Sequence, residues 1–217
     1  LVFVSTRRSA EACAENVGEA LVTKLSSQEK TDLVGLSKKI LAALSPPTQQ
    51  CRRLAAVVAR GAAFHHAGLV GKQRALIEEA FRQGTLKAIT ATPTLAFGMN
   101  LPAYRVIVRD TTRYGGYGSE PLTVMEVQQM LGRAGRPKYD TEGEAVLVAA
   151  TKGTAERLRD HYLYGEPEPI YSKLSAEPVL RSQVLALVAS ERTRSEQDLE
   201  QFFSKTFFAH QYGNAKE

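Results

Sequence analysis

Short apolar runs alternate along the chain with longer stretches whose apolar residues recur at helical spacing. Residues 1–4, LVFV, form the first run and read as a fully buried strand. Ser5 or Thr6 can cap the helix that follows, which carries Ala10, Cys13, Ala14 and Val17 inward. Residues 26–44 place Leu33, Leu36, Ile40, Leu41 and Leu44 on one side of a second helix, expected to stop at Pro46-Pro47. A third helix over about 49–60 leads into a short strand at AAFHH, residues 62–66. The pattern then predicts a helix over 71–84 ended by Gly84, a strand LKAITA, a loop TPTLAFGMNLPA and a strand YRVIVRD. Two β-prone flanks around YGGYGS, within residues 106–123, predict a hairpin. A helix over 123–132 and a strand EAVLVAA complete the series.

Strands of this kind alternating with helices imply an α/β fold, a parallel sheet with helices on both faces. Ligand chemistry in such sheets gathers at the loops beyond the carboxyl ends of the strands. The TRR, HHAGL, TPTLAFGMN and GRAGR segments are all expected there, as a single working surface. The proline-rich stretch YGEPEPIYSKLSAEP interrupts the alternation and sets a domain boundary, giving domains over 1–168 and 169–217. Beyond it the pattern predicts two helices separated by a polar turn, with Phe202, Phe203, Phe207 and Phe208 too apolar for two helices to cover. This second domain is expected to be truncated, and LVFV reads as a core strand beginning in mid-stride.

Composition narrows the picture. The chain has 217 residues, 43% apolar, enough for a buried core. It has no apolar run long enough to span a membrane and no leader-like start, so no membrane partner is expected. Cys13 and Cys51 lack metal-ligand spacing and read as free thiols in a reducing compartment. A net charge of +5 favours a polyanionic partner. His65 and His66 are adjacent, point differently and have no accompanying ligand set, so no metal site is expected.

The chemistry concentrates in QQMLGRAGRP, residues 128–137. Arg133 and Arg136 can project to one side together, and Gly132 and Gly135 let backbone approach closely. The guanidinium fork suits phosphate oxygens. An acidic surface, a nucleic-acid backbone and a nucleotide phosphate would each engage the pair. One arginine packed on a carboxylate and the other facing solvent is the plain alternative.

The pattern Q-x-x-G-R-x-G-R resembles the sixth motif of superfamily-two DExH-box helicases. ATPTLAFGMNLPA resembles their fifth motif, LVFVSTRRSAE their fourth, and FHHAGL a block between these. In order and spacing the set is similar to the second RecA-like motor domain over residues 1–165, most of all in the archaeal DNA-repair helicases related to the polymerase theta helicase. In that branch a winged-helix domain follows, and residues 169–217 resemble its beginning. The resemblance implies that Arg136 is an arginine finger, Arg133 a second γ-phosphate contact, and Gln129 an ordering residue. It places Gly98 and Asn100 beside ATP, and gives nucleic-acid contacts to Thr6, Arg7, Arg8, His66, Gly68, Thr92 and Thr94. Arg113, Tyr114 and Tyr117 would belong to a strand-separating hairpin, with charge and stacking surface for bases.

The chain contains neither G-x-x-x-x-G-K-[ST] nor D-E-x-H. ATP and Mg²⁺ would therefore be held mainly by a first RecA-like domain, and this chain alone should not hydrolyse ATP. The resemblance implies an ATP-dependent helicase acting on single-stranded and forked DNA, cytoplasmic and nucleoid-associated in a prokaryote. The rivals are an RNA helicase of the exosome-associated or splicing branch and a non-catalytic nucleic-acid-binding scaffold.

Overall fold

A computed structural model describes residues 1–98, 101–115, 118–136 and 139–213. The chain divides into two compact units, Leu1–Pro167 and Glu168–Glu217. Each is described by itself.

The first unit opens with strand β1 (Val2–Phe3). Helix α1 (Arg7–Leu21) follows, capped by the Thr6 side chain, which accepts from the Ser9 N–H. Helix α2 (Ser27–Leu41) starts with a full capping box between Ser26 and Glu29. It ends five residues before Pro46, earlier than the sequence predicts, and buries fully only Leu33 and Ile40. Helix α3 (Gln49–Val58), capped by Thr48, leads into β2 (Ala62–His65). Helix α4 (Gly71–Arg82) precedes β3 (Ala88–Ala91), and Gly84 between them takes φ +76°.

Part of the expected loop at 92–103 is helical: α5 spans Thr94–Gly98, and Leu95 and Ala96 are buried. Strand β4 (Arg105–Val108) comes next, then β5 (Thr112–Gly115) and β6 (Gly118–Pro121), which pair antiparallel as the expected hairpin. Helix α6 (Val124–Leu131) has a capping box of Thr123 with Glu126. Strand β7 (Glu144–Leu147), helix α7 (Lys152–Leu158) and a π-helical turn over Arg159–Leu163 finish the unit.

The main sheet is parallel throughout, in the order β2-β3-β1-β4-β7. Its register puts His65, Ala91, Phe3 and Val108 on one face, and Phe64, Thr90, Val2, Ile107 and Val146 on alternating positions of the other. Helix α4 lies on the first face, where Glu78 meets His65. Helix α1 lies on the second, where the Thr90 hydroxyl donates to the Ala10 carbonyl at 2.6 Å. Two turns further along α1, Gly18 packs closely on the turn before β2, where a Cβ would sit 3.2 Å from the Arg60 Cβ. Helices thus stand on both faces, and α1 packs mainly on β2 and β3. Past it, Val2 and Ile107 are half-buried and Val146 is 38% exposed, a strip of sheet less covered than the β2–β3 side among the described residues.

In the second unit, α8 (Glu177–Ala189) is followed by α9 (Glu196–Ser204) and α10 (Phe207–Tyr212). The single helix expected over 195–213 is two, because Thr206 caps a new N-terminus by accepting from the Ala209 N–H. Phe203 is buried with Phe202 edge-on to it at 5.4 Å, while Phe202 and Phe207 remain exposed. Among the described residues no helix is long and apolar enough to cross a membrane.

Candidate nucleotide and nucleic-acid surfaces

The motif residues do not share one surface. The sheet separates them into two groups, one at each end of its strands.

At the carboxyl ends, β1 runs into Thr6, Arg7 and Arg8, all exposed in the first turn of α1, which contains no acidic residue. Backbone N–H groups and two guanidinium groups make this turn attractive to phosphate. The chain just before it is pinned by Asp110, beyond the end of β4, whose Oδ2 accepts from the Ser5 N–H at 2.9 Å. Arg109 clamps the same carboxylate with two donors at 2.9 and 2.8 Å. Burial pushes the Asp110 carboxyl up, but the Arg109 fork and the Ser5 N–H outweigh it and hold it below its ordinary value.

At the end of β2, His65 and His66 point apart. His65 Nε2 meets Glu78 Oε1 at 2.8 Å, and His66 Nε2 meets Glu11 Oε1 at 3.2 Å. The Gly68 N–H donates to His66 Nδ1 at 3.2 Å, so Nδ1 is the unprotonated nitrogen and Nε2 carries the proton toward Glu11. Burial pulls both imidazoles below the ordinary histidine value, against the opposing effect of their carboxylate partners. The His66 side chain is fully buried and stacks on Phe64. The resemblance gives it a nucleic-acid contact, but its ring is directed inward. It holds the loop from behind, because an aromatic ring between Phe64 and Glu11 is taken up by core and network. Glu11 also accepts from Gln50 and pairs with Arg53, which grips Glu15, so the network fastens α1 to α3. Gly68 lies against Arg7: a Cβ there would be 3.5 Å from the Arg7 Nη1.

Beyond β3, the Thr92 and Thr94 hydroxyls bond to one another at 3.0 Å. Thr92 is buried and Thr94 exposed, so of the two only Thr94 presents itself outward. Thr6, Arg7, Arg8, Gly68 and Thr94 are brought to this end together.

The arginine motif lies at the opposite end. Helix α6 runs back against the strand direction and delivers Gly132–Arg136 beside Ala103, before β4 begins. The Ala103 N–H donates to the Arg133 carbonyl at 3.0 Å, and the Gly135 N–H to the Ala103 carbonyl at 2.8 Å. The expectation of a single working surface at the carboxyl ends is therefore corrected: a helix crossing back must end where the next strand starts. Gly135 has φ +86°, the region open to glycine. Gly143 is packed so tightly on it that a Cβ would lie 2.3 Å from the Gly135 nitrogen.

Arg133 Nη2 donates to the carbonyl of Ala96 in α5, tying the motif to the TPTLAFG segment. Arg136 grips Asp140 with Nε and Nη2 at 2.7 and 2.9 Å, and its backbone N–H reaches the same carboxylate at 3.1 Å. Its guanidinium stands over the Tyr139 ring, 5.6 Å from the centroid. The hydrogen bond from Arg136 holds the Asp140 carboxyl below its ordinary value. The packing of one arginine on a carboxylate, the plain alternative, is thus realised at Arg136, which still leaves its side chain 40% exposed. Gln129 is exposed one turn earlier, and Gly98 closes α5. Asn100 lies outside the described residues. Arg136 and Tyr139 border a groove of ≈ 1100 Å³ that continues over Val2, Ala88, Tyr104 and Ile107.

Two half-buried arginine forks, one held on the Ala96 carbonyl and one on Asp140, stand beside close-approach glycines, a donor set that suits an anionic phosphate group. Among the described residues no three His, Cys, Asp or Glu side chains gather as a metal site.

In the hairpin, Arg113 pairs with Glu126 of α6 rather than projecting alone. Tyr114 lies in β5, in register with Ser119, and Tyr117 falls outside the described residues. Asp110, Asp140 and Gly143, which shape these surfaces, were not foreseen from the sequence. Asp140 sits four residues after Arg136, a spacing visible in the sequence, whereas the others are set by tertiary contacts.

Residues 20–138 match the helicase conserved C-terminal domain. Over 215 residues the chain is 47% identical to the ATP-dependent DNA helicase Hel308 of Methanocella arvoryzae, covering 99% of this chain and 29% of that protein. The Hel308 proteins of Pyrococcus horikoshii and Pyrococcus abyssi are 43% and 44% identical over 97% of this chain, again 29% of their own length. The chain spans under a third of these relatives. With a parallel sheet bearing the fourth, fifth and sixth motifs in order, it belongs to the helicase conserved C-terminal domain family, in the branch of superfamily-two helicases that contains the archaeal Hel308 proteins.

Proposed function

We propose that residues 1–168 are the second motor domain of an ATP-dependent DNA helicase that translocates on single-stranded DNA and unwinds duplex or forked DNA, and that 169–217 begin its winged-helix domain. The observation that carries this reading is the division of one sheet between a pair of arginines at its amino ends and an exposed Thr6-Arg7-Arg8 and Thr94 surface at its carboxyl ends. The identity to Hel308 proteins, which are named DNA helicases, favours DNA over RNA and turnover over a passive scaffold.

In this reading a first RecA-like domain holds ATP and Mg²⁺, and the nucleotide supplies the free energy of phosphoryl transfer to water. This chain contributes Arg136 and Arg133 across the cleft, with Gln129 ordering the turn and Gly98 and Asn100 beside the nucleotide. Arg136 reaches the γ-phosphate by exchanging some or all of its hold on Asp140. An arginine so placed is worth about 10³–10⁵ in rate. Arg7, Arg8 and Thr94 grip backbone phosphates, contacts that position without reading sequence. The β5–β6 hairpin meets the duplex at the fork.

Arg136→Ala in the full-length protein should remove ATP turnover by about 10³-fold or more while sparing most DNA binding. ATPase assays beside anisotropy binding of a single-stranded oligonucleotide decide it. Normal turnover in the variant would sink the finger role, and comparable unwinding of RNA and DNA duplexes would move the assignment to an RNA helicase.

A further inference from the structure

The hairpin and the arginine turn stand at the two ends of α6, and a buried phenol fastens the hairpin to that helix. Tyr162 is 2% exposed and lies in the π-helical turn over Arg159–Leu163. Its hydroxyl donates to the Leu122 carbonyl at 3.0 Å and lies 3.4 Å from the Thr111 carbonyl. These residues flank the hairpin, and the Leu122 N–H donates to the Thr111 carbonyl at 2.8 Å, so they form its closing pair. The Tyr162 carbonyl in turn accepts from Gln128 Nε2, in the middle of α6, at 3.3 Å. The same amide reaches the Gly165 carbonyl at 3.3 Å.

A second tie runs beside it. Arg113 of β5 pairs with Glu126 Oε1, while Oε2 accepts from the Thr123 N–H at 2.9 Å and caps α6. Along its length α6 is seated in the core by Val124, Val127 and Met130. Its far end is held by the Arg133 carbonyl on Ala103 and the Arg133 guanidinium on Ala96. A helix of eight residues with its backbone bonds satisfied does not stretch. Displacement of the arginine turn must therefore reach the base of the hairpin.

We infer that Tyr162 is a positioning residue that locks the hairpin base to α6 and so couples nucleotide-driven motion of the arginine turn to strand separation. The inference rests on the helicase reading above. Tyr162→Phe keeps the ring in the core and leaves the Leu122 carbonyl without its buried donor. The hairpin base then gains freedom while the arginine turn keeps its contacts.

The test uses the full-length protein as wild type, Tyr162→Phe and Gln128→Ala. Three quantities are measured: ATPase stimulated by single-stranded DNA, forked-duplex unwinding per ATP consumed, and amide exchange at Leu122. Loss of one such hydrogen bond corresponds to a change of about threefold to tenfold, the expected fall in unwinding per ATP and rise in Leu122 exchange. ATPase and single-strand affinity stay close to wild type. Unwinding per ATP equal to wild type, parallel loss of ATPase and unwinding, or unchanged Leu122 exchange would each overturn the coupling role. A wild-type protein that hydrolyses ATP without unwinding any duplex would instead bring down the helicase reading itself.

Discussion

At Arg136 the ion pair with Asp140 decides what the residue can do before any ligand arrives. Both bonds use the Nε–Nη2 edge of the fork, so the guanidinium is aimed while Nη1 faces away from that carboxylate. Asp140→Asn keeps the shape and removes the charge. ATP turnover in the full-length protein should fall, by less than in Arg136→Ala, because the arginine remains but is less well aimed. A steady-state comparison of kcat in the two variants checks it, and equal losses would mean Asp140 is needed for the turn itself. The carboxyl of Asp140 is held below its ordinary value, so the pair contributes above the unfolded aspartate pKa and is lost as pH falls through the lowered one.

The buried histidines have the opposite sense. His65 and His66 titrate below the ordinary histidine value in the folded chain. As pH falls below about 6.5 the unfolded chain takes up protons that the folded chain refuses, so stability declines until the lowered folded values are passed. Imidazole titration by NMR should give both rings midpoints below about 6.5. Midpoints above that value would mean that Glu78 and Glu11 outweigh burial.

Among the elements, the tight pair of Gly135 and Gly143 closes the turn that carries the arginines. Gly143→Ala would drive a Cβ into the backbone of Gly135. Overpacking of this kind costs about 1–3 kcal/mol, visible as a lowered denaturation midpoint, and ATP turnover should fall with it. Deleting residues 114–118 from the hairpin acts at the other end of α6. It should impair strand separation more than DNA-stimulated ATPase, and equal loss of both would count against a strand-separating role for the hairpin.

What could be read in advance at this scale was what is local. Thr6 before a helical apolar pattern announces α1, and the alternating flanks of YGGYGS announce the hairpin. Helix α5 was hidden because Pro93 and Gly98 look like loop punctuation, whereas Leu95 and Ala96 in the core and Arg133 on the Ala96 carbonyl make the turn helical. The break before α10 was hidden because one threonine cap interrupts a continuous amphipathic stretch. The burial of His66 was hidden because nothing in HHAGL shows that Glu11, fifty-five positions earlier, will meet it.

For the molecule as a whole, the fold class followed from the alternation of strands and helices, but the partition of its functional residues did not. Placing GRAGR required following α6 back across the sheet, a step of topology rather than of motif. The cationic end can be tested as a surface. Arg7→Ala and Arg8→Ala should each weaken single-stranded DNA binding uniformly across sequences and shallow the log–log salt slope by about one unit or less. A slope unchanged in the double variant would place the nucleic acid elsewhere.

The strands that divide the two surfaces are only four residues long in β2, β3, β4 and β7, about 13 Å at the usual rise. Over such a span, and on the function proposed above, a close-packed parallel sheet would act as a lever, with the nucleotide at one tip and the track at the other. A tilt imposed at the arginine tip would then reappear as travel at the threonine tip, with no change in the sheet itself beyond the local exchange at Arg136. Cross-links that freeze the interior of this unit should therefore leave stepping intact, and only those that bridge to its neighbours should stall it.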